Sequence, residues 1–247
     1  MKEIDSRTVV EFEVAGKYAL FTEVLSRLGD EKMTSMFPTY SALKGVLDHV
    51  YWKPTIKWYI DEVRILNPIR MVSRGTNHMM KNDVTSPVNA TYLYKPRYQV
   101  RAHFEFNEDR PDLREDYNIN KHSAMAKRYL KRGGRLPVLL GTTECTADVI
   151  PCTFGEGDGF YDNEEILSGG MMLHSITYPD KEGTTDVIAN FWRPIMEYGV
   201  IQFIRPEECQ LQFNNGPTMT SQKTFVLGEN VKDVNTEYDE LLQSEVD

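Results

Sequence analysis

Lys121 and His122 adjoin inside REDYNINKHSAMAKRYLKRGGR, residues 114 to 135. An imidazole that can accept a proton, set beside an ammonium that can hold negative charge, is the equipment acid–base chemistry at a phosphate needs. The pair sits where the chain enters a helix, and backbone N–H groups and the helix dipole there favour a bound anion and a neutral histidine. From Lys121 to Arg135 there are six Lys or Arg and no acid. Lys127, Arg128, Lys131 and Arg132 cover the polar face of that helix, and Gly133-Gly134-Arg135 reads as a flexible basic turn along which a phosphate chain could run. Charge alone would equally describe a helix kept soluble by its basic residues. Tyr51 ends an earlier helix, with Lys44, Asp48 and Tyr51 at i, i+4 and i+7 on its polar face, from which a phenol could project.

Other chemistries find little footing. His49, His78, His103 and His174 are scattered, and none has HExxH or another metal-ligand spacing. FGEGDGFYD carries Gly155, Gly157 and Gly159, but Glu156 and Asp158 would repel a phosphate, so it reads as an acidic turn. Neither Pro111-Asp112 nor Pro179-Asp180 is followed by the E-x-K of a metal nuclease, and no metal or cofactor is expected. Cys145, Cys152 and Cys209 are odd in number and far apart, as buried reduced thiols would be. No apolar run reaches the roughly 18 residues of a membrane span, and the start MKEIDSRTVV is too polar for a secretory signal, so a cytoplasmic protein without a membrane partner is expected.

The net charge of −9 hides a division, because residues 228 to 247 hold seven acids and one Lys. Between Tyr40 and Arg101 there are ten Lys or Arg against four acids. Two basic regions, 40 to 101 and 121 to 135, therefore lie in a nearly neutral body with an acidic tail, a pattern that permits a polyanion partner.

The elements that must position these residues show in the hydrophobic pattern. TVVEFEVAG alternates as a half-buried strand, and Leu43, Val46, Leu47 and Val50 recur at helical spacing from about 39 to 51. TIKWYIDEVRIL reads as a strand that changes phase at Asp61-Glu62, the mark of a bulge. RYQVRAHFEFN alternates most cleanly of all. Met125, Ala126, Tyr129 and Leu130 stripe a second helix from about 122 to 132, closed by Gly133, and LPVLLGTTECTADVI follows as a strand. The order β-α-β-β-α-β predicts an α+β, ferredoxin-like domain over residues 1–150, the arrangement also used by RNA-recognition modules. Residues 67–95 show no sustained periodicity and read as a long functional insertion. Residues 151–227 suggest a small C-terminal antiparallel β-sheet extension, and 228–247 an acidic tail that could carry a short helix or stay disordered.

Several stretches, EFEVAGKYALFTEV, PTYSALKGVLDHVYWKPTIKWYIDEVRILNPI, KHSAMAKRYLKRGGR, LLGTTEC and GVIQFIRPEEC, closely resemble the CRISPR-associated RAMP proteins of subtype I-C, the Dvulg-type fifth Cas family. The likeness covers most of residues 9 to 210 in order. It implies a metal-independent endoribonuclease that recognises the CRISPR repeat hairpin, cuts precursor crRNA at the base of the stem, and stays on the guide as a subunit of the DNA-surveillance complex. Target DNA would then be met only through that complex.

The family's Tyr, Lys and His fall on Tyr51 of VYWKPT and on Lys121 and His122 of NKHS. Metal-free RNA cleavage needs a base for the 2′-hydroxyl, charge stabilisation at the phosphorane and help for the leaving 5′-oxygen. His122 is the favoured base, Lys121 the fixed charge, and Tyr51 an acid or positioning group, with the choice of base between His122 and Tyr51 open. Lys44, Arg70, Arg74, Lys127, Arg128, Lys131, Arg132 and Arg135 are the candidates for RNA contact. The chain departs from the family at Asn120, Leu136 and Thr143, where a small residue and two arginines are common. The alternative function is a non-catalytic guide-RNA-capping subunit of the same complex.

Overall fold

The computed structural model describes residues 4–22, 32–79, 85–178 and 186–217. The acidic tail lies outside these. Strand β1 (Val9–Gly16) is followed by two short strands, β2 (Tyr18–Ala19) and β3 (Lys32–Met33), and by helix α1 (Tyr40–Val50). Thr39 caps α1 by accepting from the Ala42 N–H, while Tyr40, Leu43, Val46, Leu47 and Val50 bury one stripe. Strand β4 (Ile56–Ile65) carries the expected bulge, a register shift between Ile60 and Glu62 against β7 (Arg97–Phe106). Between β4 and β7 run β5 (Met71–Met79) and β6 (Thr85–Tyr94), paired antiparallel over nine positions. The 67–95 insertion is thus a long hairpin, not the aperiodic excursion the sequence suggested. Its pairing lies in main-chain hydrogen bonds, which a strand can make without a one-sided apolar pattern.

Helix α2 (Ile119–Lys131) begins three residues earlier than expected, because the Asn118 side chain accepts from the Lys121 N–H and caps it there. Gly133, at φ +81°, ends it, and Gly134, at φ +107°, holds a conformation that a Cβ would strain and crowd against the Leu136 carbonyl at 3.0 Å. The turn is not the loose one the glycines suggested. Arg135 and Leu136 both donate main-chain N–H groups to the His49 carbonyl, at 3.1 and 3.0 Å, pinning the exit of α2 to the end of α1. The single strand expected over 136–150 is two, β8 (Val138–Leu139) and β9 (Thr146–Pro151), folded back on each other around Gly141. Gly141 has φ +97°, and a Cβ there would lie 2.0 Å from the Leu20 carbonyl oxygen.

The remaining strands are β10 (Leu167–Ser168), β11 (Met172–Thr177), β12 (Asp186–Trp192), β13 (Ile195–Glu197), β14 (Val200–Gln202) and β15 (Leu211–Pro217). The largest sheet runs β10-β13-β14-β4-β7-β1-β9-β8, while β11-β12-β15 form a three-stranded antiparallel sheet. The fold is mixed α/β with mostly antiparallel sheets. One face of the large sheet, including Phe12, Val14, Trp58, Ile60, Val100, Ala102 and Phe104, is buried in the main core together with residues of α1 and α2. The opposite face carries ion pairs, Arg101 reaching Glu11 on β1 and Glu62 on β4, and Arg97 reaching Glu13. The acidic turn near 155–162 wraps the buried Arg64, which donates to the Gly157 carbonyl at 2.8 Å and pairs with Asp162 at 2.7 Å. Among the described residues no helix is long and apolar enough to cross a membrane.

Candidate active site

The cap of α1 turns Tyr51 away from the polar face. Its backbone is extended at φ −157°, its N–H donates to the Leu47 carbonyl, and its own carbonyl accepts from the Trp58 indole at 2.7 Å. The ring therefore points inward, 2% exposed, rather than projecting beside Lys44 and Asp48. There it stacks on Tyr129 of α2, with centroids 5.9 Å apart, and its hydroxyl lies 2.8 Å from His122 Nδ1. His122 is wholly buried, edged by Phe104 and Phe106 of β7.

The hydrogen bonds fix the proton positions. His122 Nε2 lies 2.9 Å from the Asp116 main-chain carbonyl, which can only accept, so Nε2 carries a hydrogen. In the neutral imidazole Nδ1 is then the acceptor, and Tyr51 donates to it. Burial, reinforced by the nearby Asp116 charge and by Tyr129, pushes the Tyr51 phenol up to about 12, so it holds its proton at neutral pH.

Lys121, next along α2, pairs with the Asp116 carboxylate, which also accepts from the Thr55 hydroxyl at 2.8 Å. The Lys121 hydrogen bond, followed by that from Thr55, holds the Asp116 carboxyl below its ordinary range. Asp116 ends a 3-10 turn, Pro111–Asp116, and the next residue, Tyr117, stacks flat on Phe106 at 4.5 Å. Tyr51, Lys121 and His122, 71 residues apart at the extremes, thus meet in one cluster together with Asp116 and Thr55.

Sequence reasoning missed those last two. A main-chain carbonyl contact leaves no trace in residue type, and the only signal was the acid five residues before Lys121.

The RNA-contact candidates divide into groups. Lys127, Arg128, Lys131, Arg132 and Arg135 are all exposed. At 100° per residue, Arg128 and Arg132 lie within about 20° of Lys121 around α2, roughly 10 and 16 Å along its axis. Arg70 and Arg74 are also exposed, at the base of the β5–β6 hairpin. There the Arg74 guanidinium lies 4.9 Å above the Tyr18 ring, Lys17 approaches the same ring, and Lys95 approaches Tyr94. The sequence marked the arginines here but not the aromatic rings they lie against, with Tyr92 beside Tyr18. Lys44 is half-buried beside Asp48, whose carboxyl burial raises despite the lysine. Asn120, Leu136 and Thr143, the departures from the family pattern, are exposed. Cys145 and Cys209 are buried, Cys152 half-buried, and all three are free.

The family described as CRISPR-associated protein (Cas_Cas5) matches residues 9–204. The chain belongs to the Cas5 family of CRISPR-associated proteins. This Cas5-family chain is 26% identical, over 224 residues, to the CRISPR pre-crRNA endoribonuclease Cas5d of Mannheimia succiniciproducens, covering 78% of this chain and 93% of that one. A solved structure of a CRISPR-associated protein matches with a TM-score of 0.68 at 29% identity, over 83% of this chain and 96% of the other. A functionally uncharacterized protein of Streptococcus mutans matches at 0.67 and 30% identity, over the same shares. The matched span contains every residue of the Tyr51–Lys121–His122 cluster.

Proposed function

We propose that this Cas5-family protein is an endoribonuclease that cleaves precursor crRNA at the base of the repeat hairpin, without a metal ion, by attack of the neighbouring 2′-hydroxyl. The observation that carries the reading is the 2.8 Å contact between the Tyr51 hydroxyl and His122 Nδ1, with Lys121 alongside at the head of a basic helix. The 2′-hydroxyl proton passes to the Tyr51 oxygen as the phenol proton passes to Nδ1. The 2′-oxygen attacks phosphorus, Lys121 balances the charge of the phosphorane, and the 5′-oxygen leaves with the proton returned through the same pair. A 2′,3′-cyclic phosphate and a 5′-hydroxyl result. Buried His122 thus acts through Tyr51, which refines the assignment of His122 as the base.

The strand order β4-β7-β1-β9, with α1 and α2 in the two crossovers, supports reading residues 1–150 as a ferredoxin-like domain with the 67–95 insertion. Residues 151–227 are its C-terminal extension and 228–247 a tail. In this reading the product guide stays bound, and the protein works in the cytoplasm as a subunit of the type I-C surveillance complex. The name of the Mannheimia relative supports the RNA substrate. A guide-capping subunit without cleavage is the second reading, favoured by the burial of Tyr51 and His122.

One experiment separates them. Incubated with its own repeat RNA in EDTA, the protein should cut once and leave a cyclic phosphate, and a single 2′-deoxy substitution 5′ of the cut should abolish the product. Efficient cleavage of the deoxy substrate overturns the mechanism, and binding without any cleavage favours capping.

A further inference from the structure

Asp116 touches both halves of the cluster, and the two contacts do different things. Its main-chain oxygen receives the His122 Nε2 hydrogen at 2.9 Å, which leaves Nδ1 as the lone pair facing Tyr51. Its carboxylate holds the Lys121 ammonium through one oxygen and the Thr55 hydroxyl through the other, and the latter oxygen lies 3.5 Å from Nε2. Thr55 itself is 2% exposed, so the carboxylate is oriented by a fixed donor. The acid is on the 3-10 turn that Tyr117 fastens to Phe106, and the Tyr117 hydroxyl donates to the Asn107 carbonyl at 2.6 Å.

Resting on the ribonuclease reading above, we propose that Asp116 is a positioning residue of the reaction. Its carbonyl selects the His122 tautomer, its carboxylate stabilises the imidazolium that forms when Tyr51 hands over its proton, and the same carboxylate parks Lys121 until an RNA phosphate takes the ammonium. Among the described residues, the titratable groups in contact with His122 are Tyr51 from the end of α1, at Nδ1, and Asp116 from the turn, at Nε2, with Lys121 held by that same carboxylate and Tyr129 stacked on Tyr51. Strand β7 contributes only Phe104 and Phe106. Among the described residues Asp116 is thus the single carboxylate of the cluster, and its replacement leaves none of them there to substitute.

Asp116→Asn keeps the volume and the main-chain carbonyl while removing the charge, so the tautomer survives. The loss should stay below the roughly ten-thousandfold cost of a wrong tautomer in a related arrangement, and a fall on the order of 100-fold in the single-turnover rate is expected. Repeat-RNA affinity should hold within about twofold. With the carboxylate gone the imidazolium is less favoured, so the acid limb of the pH–rate profile should move to lower pH, and Asp116→Glu should restore part of the rate. An unchanged rate, or a lower rate with the acid limb unmoved, overturns the proposal, since damage to the fold alone would lower the rate at every pH. In the RNA-free protein, ¹⁵N spectra of the histidine ring should show His122 with hydrogen on Nε2, and a hydrogen on Nδ1 instead would equally overturn it. His122→Ala runs in parallel: if that variant still cleaves at the wild-type rate, the ribonuclease reading fails along with this one. If it is inactive while Asp116→Asn is unaffected, only the positioning role fails.

Discussion

At the scale of single residues, the burial of Tyr51 gives a sharp expectation. A phenol pushed up to about 12 does not ionise anywhere near neutrality, so in the proposed ribonuclease reaction it would serve as donor and relay, and its loss of a proton should not shape the rate between pH 7 and 10. Tyr51→Phe keeps the ring stacked on Tyr129 and removes only the hydroxyl. Cleavage by that variant should fall by on the order of 100-fold or more, at a cost of about 1–3 kcal/mol in stability for the buried Nδ1 left without its donor, as measured by single-turnover cleavage beside a melting curve. His122→Ala and Lys121→Ala should each lose on the order of 100-fold or more in rate while RNA binding falls much less. The Lys-His pair was legible in the sequence because the two residues adjoin at a helix start. The placement of Tyr51 came from family resemblance, since helical spacing put it on the polar face. What spacing could not show is that Tyr51 leaves the helical path at the cap, which swings the ring into the core.

At the scale of elements, α2 serves both sides of the molecule. His122, Ser123, Ala126 and Leu130 face inward, while Lys127, Arg128, Lys131 and Arg132 face water. Neutralising those four to Ala preserves helix propensity, so the effect should be electrostatic. RNA affinity should weaken for every sequence, with about one unit lost from the log-affinity against log-salt slope per strong phosphate contact. A wild-type slope would move the RNA path to the base of the β5–β6 hairpin, where Arg74 and Lys17 lie over Tyr18. The helix was readable because its apolar stripe has one face to bury. The hairpin was not, because its exposed positions Met71, Ser73, Arg74 and Gly75 follow no alternation.

At the scale of the whole molecule, the charges sort by face. Among the described residues Arg64, Arg97, Arg101 and Arg205 all hold carboxylates, while Lys127, Arg128, Lys131 and Arg132 on α2 and Arg70 and Arg74 at the hairpin base stand exposed. A second global property is set by His174, a fully buried residue of β11 that stacks on Tyr40 of α1 at 4.5 Å and meets Trp192 of β12 edge-on. Burial lowers this imidazole from 6.5 to about 4. The unfolded chain takes up the proton near 6.5 and the folded one only near 4, so the stabilising difference is complete above about 6.5 and drains away as pH falls toward 4. Roughly 3 kcal/mol is at stake over that window as an upper value. Denaturant midpoints should drop between pH 6.5 and 4, and the drop should shrink in His174→Gln.

The pairing of β14 with β4, Val200 opposite Arg64 and Gln202 opposite Glu62, has a consequence for how the chain is made. During synthesis the outer edge of β4 stays unsealed until residue 200 has left the ribosome, more than a hundred residues after β4 itself. For that interval the nascent chain carries an open strand edge, which is the feature that invites pairing with a neighbouring chain. Contacts this distant along the chain also close slowly. Nascent chains halted before residue 200 should therefore be the aggregation-prone and protease-sensitive species, and release of the last strands should mark the step at which the molecule becomes safe from its neighbours.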